Sequence, residues 1–153
     1  MIRKLDSFDE YLDFIRITPE RFDGLKELHS AYKAEIGENP PTEAQLARLF
    51  DAIEYGKIDF FGCLDGNKLI ACCSICCTFS TFNYGLSGVF EDFYIAPEYR
   101  HKGIAKRLVR YAVEQSGVKS LTVGCADCDV EMYKAIGFSI PLGNMLAYGL
   151  TFN

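Results

Sequence analysis

The sequence predicts one mixed α/β domain, a central sheet of six to seven strands with helices on both faces. Three features lead there. Strand and helix periodicities alternate along the chain in the order strand, helices, three strands, helix, strand, helix, and one or two closing strands. The 153 residues are 49% apolar, enough for one core, and no linker, low-complexity run or repeat divides residues 1–153. Between Val89 and Leu108 an apolar run stops at Pro97 and passes through a short basic turn into an amphipathic helix.

Ile2 to Leu5 reads as a short strand. From Phe8 to Ile36 the apolar positions Phe8, Tyr11, Leu12, Phe14 and Ile15, then Phe22, Leu25, Leu28, His29, Tyr32 and Ile36, predict two helices broken near Thr18-Pro19. Gly37 and Pro40-Pro41 end the second. Thr42, with Gln45 three residues on, is the capping-box start of a helix carrying Ala44, Leu46, Leu49, Phe50 and Ile53 and closing near Gly56. Asp59 to Leu64 and Lys68 to Phe79 flank the turn Asp65-Gly66-Asn67 and predict a hairpin. A second turn, Ser80 to Gly85, leads into the strand that ends at Pro97. Ile104, Ala105, Leu108, Val109, Ala112 and Val113 then keep helical spacing until Gly117. Leu121 to Cys125 is a further strand, Val130 to Ile136 a short helix ended by Gly137. In the closing strand Leu146, Tyr148, Leu150 and Phe152 alternate with Ala147, Gly149 and Thr151.

Two features of the central stretch point to chemistry. Glu91 and Asp92 are carboxylates inside the strand Val89-Phe90-Glu91-Asp92-Phe93-Tyr94-Ile95, where packing alone does not call for them. The turn Arg100-His101-Lys102-Gly103 opens a helix whose first N–H groups lack intrahelical acceptors, and Arg100, Lys102 and Lys106 surround it, so the place suits a phosphate or pyrophosphate. Neither G-x-x-x-x-G-K-[ST] nor G-x-G-x-x-G is present there.

The segment Arg100-His101-Lys102-Gly103-Ile104-Ala105 resembles the R/Q-x-x-G-x-G/A acyl-coenzyme A loop of the GCN5-related N-acetyltransferases (GNAT). Glu91 to Ile95 looks like the E-D-x-x-V strand of the spermidine/spermine (diamine) acetyltransferase-like branch, and Phe79-Ser80-Thr81-Phe82 like a turn seen in that branch. Met132-Tyr133-Lys134-Ala135-Ile136-Gly137-Phe138 is similar to the F/L-Y-x-x-x-G-F that closes the family's fourth motif. Together these cover Phe60 to Phe138, whereas residues 1–57 match only in helix count. Ala105 stands where glycine is commoner in the family, and Ala126 to Asp129 lacks the asparagine that often holds the pantetheine arm.

The resemblance implies a mostly antiparallel sheet and acetyl-coenzyme A as co-substrate, with no metal. It implies that the backbone from Arg100 through His101, Lys102, Gly103 and Ile104 to Ala105 cradles the pyrophosphate, that Lys106, Lys102 and Arg107 meet the remaining phosphate, and that the edge of Phe93, Tyr94 and Ile95 pairs with the pantetheine. It further implies Glu91 as a base acting through water, the Ile95 N–H as oxyanion donor and Tyr133 as general acid toward the departing thiolate. On an ideal strand Glu91 shares a face with Val89, Phe93 and Ile95, and Asp92 points the other way as a structural partner for a basic group.

The net charge of −5 argues against general nucleic-acid binding and is compatible with a cationic acceptor. No apolar run reaches membrane-spanning length and the first residues lack a signal-peptide core, so a cytoplasmic protein is expected. The seven cysteines include two C-x-x-C pairs, Cys73/Cys76 and Cys125/Cys128, whose separation is unlike a zinc ribbon. They read as reduced thiols, the first pair as core hydrophobes on a strand. The expected acceptor is the primary amine of a small molecule, attacked directly, with Asp23, Glu27, Glu35, Phe79, Phe82 and Tyr84 as candidate pocket residues. A protein or peptide N-acetyltransferase and a non-catalytic coenzyme A-binding module are the alternatives. An exposed face on the last strand leaves a homodimer open.

Overall fold

The computed structural model describes residues 11–150. Five strands form one sheet in the order β1-β2-β3-β4-β5: Leu12–Ile17, Asp59–Asp65, Lys68–Ser80, Gly85–Ile95 and Ser120–Val123. All neighbours are antiparallel except β4 and β5. The helices are α1 (Phe22–Glu35), α2 (Glu43–Glu54), α3 (Ile104–Ser116) and α4 (Val130–Ile136).

The mixed, mostly antiparallel class stands, but among the described residues the sheet has five strands rather than six to seven. The strand expected at Ile2 to Leu5 lies outside the described residues. The helix expected from Phe8 to Ile15 is, over Leu12 to Ile15, part of strand β1, which pairs with β2 from Leu12 opposite Asp65 to Ile17 opposite Phe60. Its apolar residues serve both faces: Leu12 and Phe14 join one core cluster, Ile15 and Ile17 the other. A strand covered on both faces has no alternation to betray it, and short apolar runs imitate a helical stripe.

The closing strand is absent among the described residues, and 138–150 carries no regular secondary structure. Met145, Leu146 and Tyr148 are 85%, 90% and 86% exposed. A strand needs a ladder partner, and this segment pairs with none of the five.

Two apolar layers sandwich the sheet. On one side Leu25 and Leu28 of α1 pack with Ile17, Phe60, Leu64, Leu69, Cys72 and Tyr94. On the other, Ile104, Leu108, Val109 and Ala112 of α3 pack with Phe61, Ile70, Cys73, Ile75 and Phe90. Each fully buried Leu, Ile or Phe contributes on the order of 2 kcal/mol of transfer free energy, so these layers fix where α1 and α3 lie on the sheet. Thr42 Oγ1 accepts from the Gln45 N–H and Gln45 Oε1 accepts from the Thr42 N–H, completing the expected capping box of α2. Gly62 is required by close approach, because a Cβ there would sit 2.7 Å from Leu69 Cδ1, 2.8 Å from the Ala71 carbonyl oxygen and 2.9 Å from Ile17 Cδ1.

Candidate active site

Strand β4 organises the site because its two neighbours treat it differently. Toward β5 it is paired only from Ser87 to Phe90, opposite Ser120 to Val123. From Glu91 to Ile95 that edge has no strand beside it among the described residues. The Ala96 N–H donates to the Ile70 carbonyl across β3 at 2.9 Å. Successive residues of a strand direct their amides to alternate sides, so the Ile95 N–H faces the open edge. The Ile95 carbonyl faces the same way and accepts from Arg100 Nε at 2.8 Å.

Toward β3 the ladder contains a bulge. Cys72 opposes Tyr94 and Ser74 opposes Glu91, so Cys73 alone faces both Asp92 and Phe93. Asp92 absorbs the extra residue with φ +54°, a left-handed conformation that costs a non-glycine residue on the order of 1 kcal/mol. The bulge resets the faces of the strand. Phe90, Phe93 and Ile95 lie on the α3 side, while Glu91 lies with Ser74 and Tyr94 on the α1 side. The expectation that Glu91 shares a face with Phe93 and Ile95 is therefore corrected: it shares one with Val89 only. Nor does Asp92 point away from Glu91. Its Oδ2 accepts a 2.7 Å hydrogen bond from Ser74 Oγ, and its Oδ1 lies 3.8 Å from His29 Nδ1 of α1.

The side chains that converge here are His29 and Tyr32 from α1, Glu91 and Asp92 from β4, and Tyr133 from α4. The His29 and Tyr32 rings are 6.3 Å apart, and Tyr133 packs on Phe93 at 6.3 Å and on Phe138 at 5.8 Å. Burial pushes the Tyr133 phenol up to about 12, with Tyr32, Asp129 and Cys125 adding to the rise. It raises Tyr32 as well, Asp92 and Glu91 contributing. Both phenols are thus firmly protonated at neutral pH. Burial lowers His29, against the opposing pull of Asp92. His29, Tyr32 and Ser74 were invisible as site residues, because on sequence spacing they read as helix and strand packing. An imidazole and a phenol at i and i+3 on one helix were the available signal.

At the far end of β4 lies the turn expected to cradle phosphate. Gly103 begins α3 at φ +79° with no side-chain cap, and the first turn of the helix has no acidic residue. His101 also has a positive φ, +63°. Uncapped N–H groups at the positive end of the helix dipole, reached through a backbone that turns left-handed twice, suit an anion. His101, Lys102 and Lys106 are exposed beside it.

Arg100 is placed differently from expectation. Its guanidinium donates to both carboxylate oxygens of Glu35 at 2.8 Å and lies 5.4 Å from the Tyr94 ring centroid, so its side chain fastens the loop to α1 and β4. Arg107 lies over the Phe14 ring, 4.8 Å away, and Lys102 5.9 Å from the ring of Tyr99, whose hydroxyl donates to Asp65. Of the candidate pocket residues, Glu35 is taken by Arg100. Phe79, near the end of β3, is 66% exposed, and Phe82 and Tyr84 on the β3–β4 turn are 98% and 78% exposed. A cavity of about 270 Å³ lies instead between α1 and α2, lined by His29, Lys33, Glu38, Asn39 and Leu49 among others.

Cys73 and Cys76 point to opposite faces of β3, Cys73 into the α3-side core, and burial raises both thiols. Among the described residues no group of three or more His, Cys, Asp or Glu is arranged to hold a metal, and no helix is long and apolar enough to cross a membrane.

Comparison with known proteins agrees with this geometry. The family model for the acetyltransferase (GNAT) domain matches residues 56–140, from the turn before β2 to just past α4. An aminoglycoside acetyltransferase from an uncultured soil metagenomic sample, crystallised with trehalose, superposes with a TM-score of 0.81 at 13% identity, over 96% of this chain and 100% of that one. A predicted acetyltransferase from Clostridium acetobutylicum, crystallised with acetyl-CoA, gives 0.74 at 17% identity over 90% and 96%. Glucosamine-6-phosphate N-acetyltransferase from Arabidopsis thaliana gives 0.68 at 19% over 90% and 97%. No curated protein sequence matches. With more than half of its length matched by the domain model, the chain belongs to the GNAT family of acetyltransferases.

Proposed function

We propose that this chain, acting as one domain, transfers the acetyl group of acetyl-CoA to the primary amine of a small molecule by direct attack. The observation that carries the reading is the open edge of β4, which joins an uncapped helix start at one end to two carboxylates and a half-buried phenol at the other. Acetyl-CoA brings the activated acetyl thioester. The amides from His101 to Ala105, with Lys102 and Lys106, bind its pyrophosphate, the Arg100 N–H being held instead by the Pro97 carbonyl at 3.2 Å, and the exposed edge of Phe93, Tyr94 and Ile95 aligns the pantetheine as an added strand would be aligned.

The Ile95 N–H, facing that edge, donates to the oxygen that gains charge, a role in which one donor is worth about 3 kcal/mol. Tyr133 gives its proton to the departing sulfur and recovers it from solvent. The acceptor ammonium loses its proton on the α1 face, where Glu91 is the exposed carboxylate and the group the diamine-branch motif points to. Crystallisation of one neighbour with sisomicin and the name of another, a glucosamine-6-phosphate N-acetyltransferase, support a small amine as acceptor.

Thiol release from acetyl-CoA, assayed against spermidine, an aminoglycoside, an amino sugar phosphate, free amino acids and short peptides, tests the reading. Turnover with a small amine supports it, turnover with peptides alone replaces the acceptor class, and coenzyme binding without turnover on any of them favours a regulatory module. The homodimer belongs to the same proposal, with the exposed apolar residues from Leu146 to Leu150 as its contact. A sedimentation mass of one chain at micromolar concentration would remove it.

A further inference from the structure

The acetyltransferase reading above needs a group that accepts a proton from the acceptor ammonium near neutral pH. We propose that His29 is this base and that Asp92 is its positioning residue, holding the ring in the Nδ1–H tautomer so that Nε2 takes the proton. His29 Nδ1 is buried without a hydrogen-bond partner, on a side chain only 11% exposed, and Asp92 Oδ1 is the carboxylate oxygen it approaches, at 3.8 Å. A buried ring nitrogen left unpaired costs on the order of 1–3 kcal/mol, and a closure of less than about 1 Å converts this approach into an N–H···O bond.

Two features of the chain aim the carboxylate there. The β4 bulge holds Asp92 at φ +54°, off the face that strand alternation would give it. Ser74, 1% exposed and the only buried polar residue among those described, donates to the other carboxylate oxygen at 2.7 Å and fixes the rotamer. Left-handed strain at a polar residue persists where the surroundings over-determine it, as at reactive sites.

With Nδ1–H directed to Asp92, the free lone pair lies on Nε2, and the ring lines the cavity between α1 and α2, where an acceptor has room. The step balances simply. Nε2 gains the proton that the ammonium loses, and the freed nitrogen lone pair forms the bond to the acetyl carbonyl carbon. The carbon–sulfur bond breaks onto sulfur, which takes the Tyr133 proton; the nitrogen, now bonded to carbon, sheds its second proton to solvent, the tyrosinate is reprotonated from solvent, and the imidazolium returns its proton there as well. The groups acting on His29 are Asp92 from β4, Lys33 from α1 and Glu38 from the loop after it, with the Tyr32 ring 6.3 Å away on the same helix. Desolvation outweighs the two carboxylates that raise His29, so the ring is neutral at pH 7, the state a base requires. His29 thereby takes the role of base that the motif alone would give to Glu91, which lies exposed on the same side of the sheet.

Nitrogen-15 NMR of the full chain with acetyl-CoA, without any acceptor, tests the geometry. The expected spectrum at pH 7 has His29 neutral, protonated on Nδ1. An Nε2–H tautomer, or a doubly protonated ring, overturns the proposal. Kinetics on the amine that turns over test the role. His29→Gln should lower kcat about 10²- to 10³-fold and remove the acidic limb of the pH profile, with acetyl-CoA affinity retained. Added imidazole should restore part of the rate of His29→Ala, which a merely structural histidine would not allow. Asp92→Asn should move the acidic limb to lower pH, since the charge that raises His29 is gone. An unchanged profile in His29→Gln, or loss of the limb in Glu91→Gln instead, overturns the assignment. Absence of turnover on every amine defeats the acetyltransferase reading itself, and the tautomer still decides this inference.

Discussion

Arg100→Ala removes a side chain that ties the loop before α3 to two other parts of the fold. The guanidinium makes a two-pronged bond to Glu35 of α1, a 2.8 Å bond to the Ile95 carbonyl, and a face contact with Tyr94. The side chains of Arg100 and Glu35 are 33% and 49% exposed, so solvent screening leaves their ion pair worth about 1 kcal/mol. The charge-assisted bond to the Ile95 carbonyl adds about 1.5 kcal/mol and the contact with Tyr94 about 0.5 kcal/mol. The loss of about 3 kcal/mol should appear in urea unfolding as a shift of midpoint with unchanged slope, and in heating as a fall in Tm of roughly 6–12 °C. Arg100→Lys keeps the charge without the fork and should recover less than half. Acetyl-CoA affinity measured by calorimetry should fall at least tenfold in Arg100→Ala, because the loop amides lose their anchor. A variant that unfolds at the wild-type midpoint would refute this account of Arg100.

Three other outcomes follow from the same structure. Gly62→Ala places a methyl within 3 Å of two side chains and a carbonyl oxygen, so it should destabilise by about 2–3 kcal/mol in equilibrium unfolding. Iodoacetamide at pH 8 followed by peptide mass analysis should label the exposed Cys125 and Cys128 first. Cys63, pushed up to about 11 by burial, and the fully buried Cys72 and Cys73 should stay unmodified until unfolding. Tyr133→Phe should lower turnover with acetyl-CoA affinity nearly unchanged, and should remove a phenol that ionises near pH 12 in a spectrophotometric titration. The folded phenol titrates above its unfolded value, so its contribution to stability is complete below about pH 10 and is lost as pH rises toward about 12.

Much of this arrangement was legible from residue types in order. The Asp65-Gly66-Asn67 turn, the capping box at Thr42, the break at Gly117 and the run from Pro97 through Gly103 into α3 all declare themselves locally, and the structure has them. What stayed hidden depends on contacts distant in sequence. The bulge is set by the register of β3 against β4, and nothing around Asp92 announces that two residues oppose Cys73. That one extra residue moved Phe93 and Ile95 to the face opposite Glu91 and kept Asp92 on the side of Glu91, so alternation counted along the strand misplaced both relations. Leu12 to Ile17 has apolar residues at a spacing that suits a helix, yet its neighbour β2 claims it. Leu146 to Leu150 alternates cleanly, yet no described strand offers it a ladder. Arg100 looked like a phosphate ligand because its loop is basic, and only the fold brings Glu35 to it.

The most direct test of the central claim is a calorimetric titration of acetyl-CoA into the wild-type chain and into Gly103→Glu. Position 103 sits at φ +79° at the uncapped start of α3, so glutamate adds backbone strain and a negative charge where the pyrophosphate is expected to lie. Saturable binding with one site per chain in the wild type, lost in a Gly103→Glu variant that remains folded by circular dichroism, is the predicted result. Wild-type affinity retained in that variant, or no binding in either protein, would contradict the placement of the coenzyme at this helix start and with it the proposed reaction.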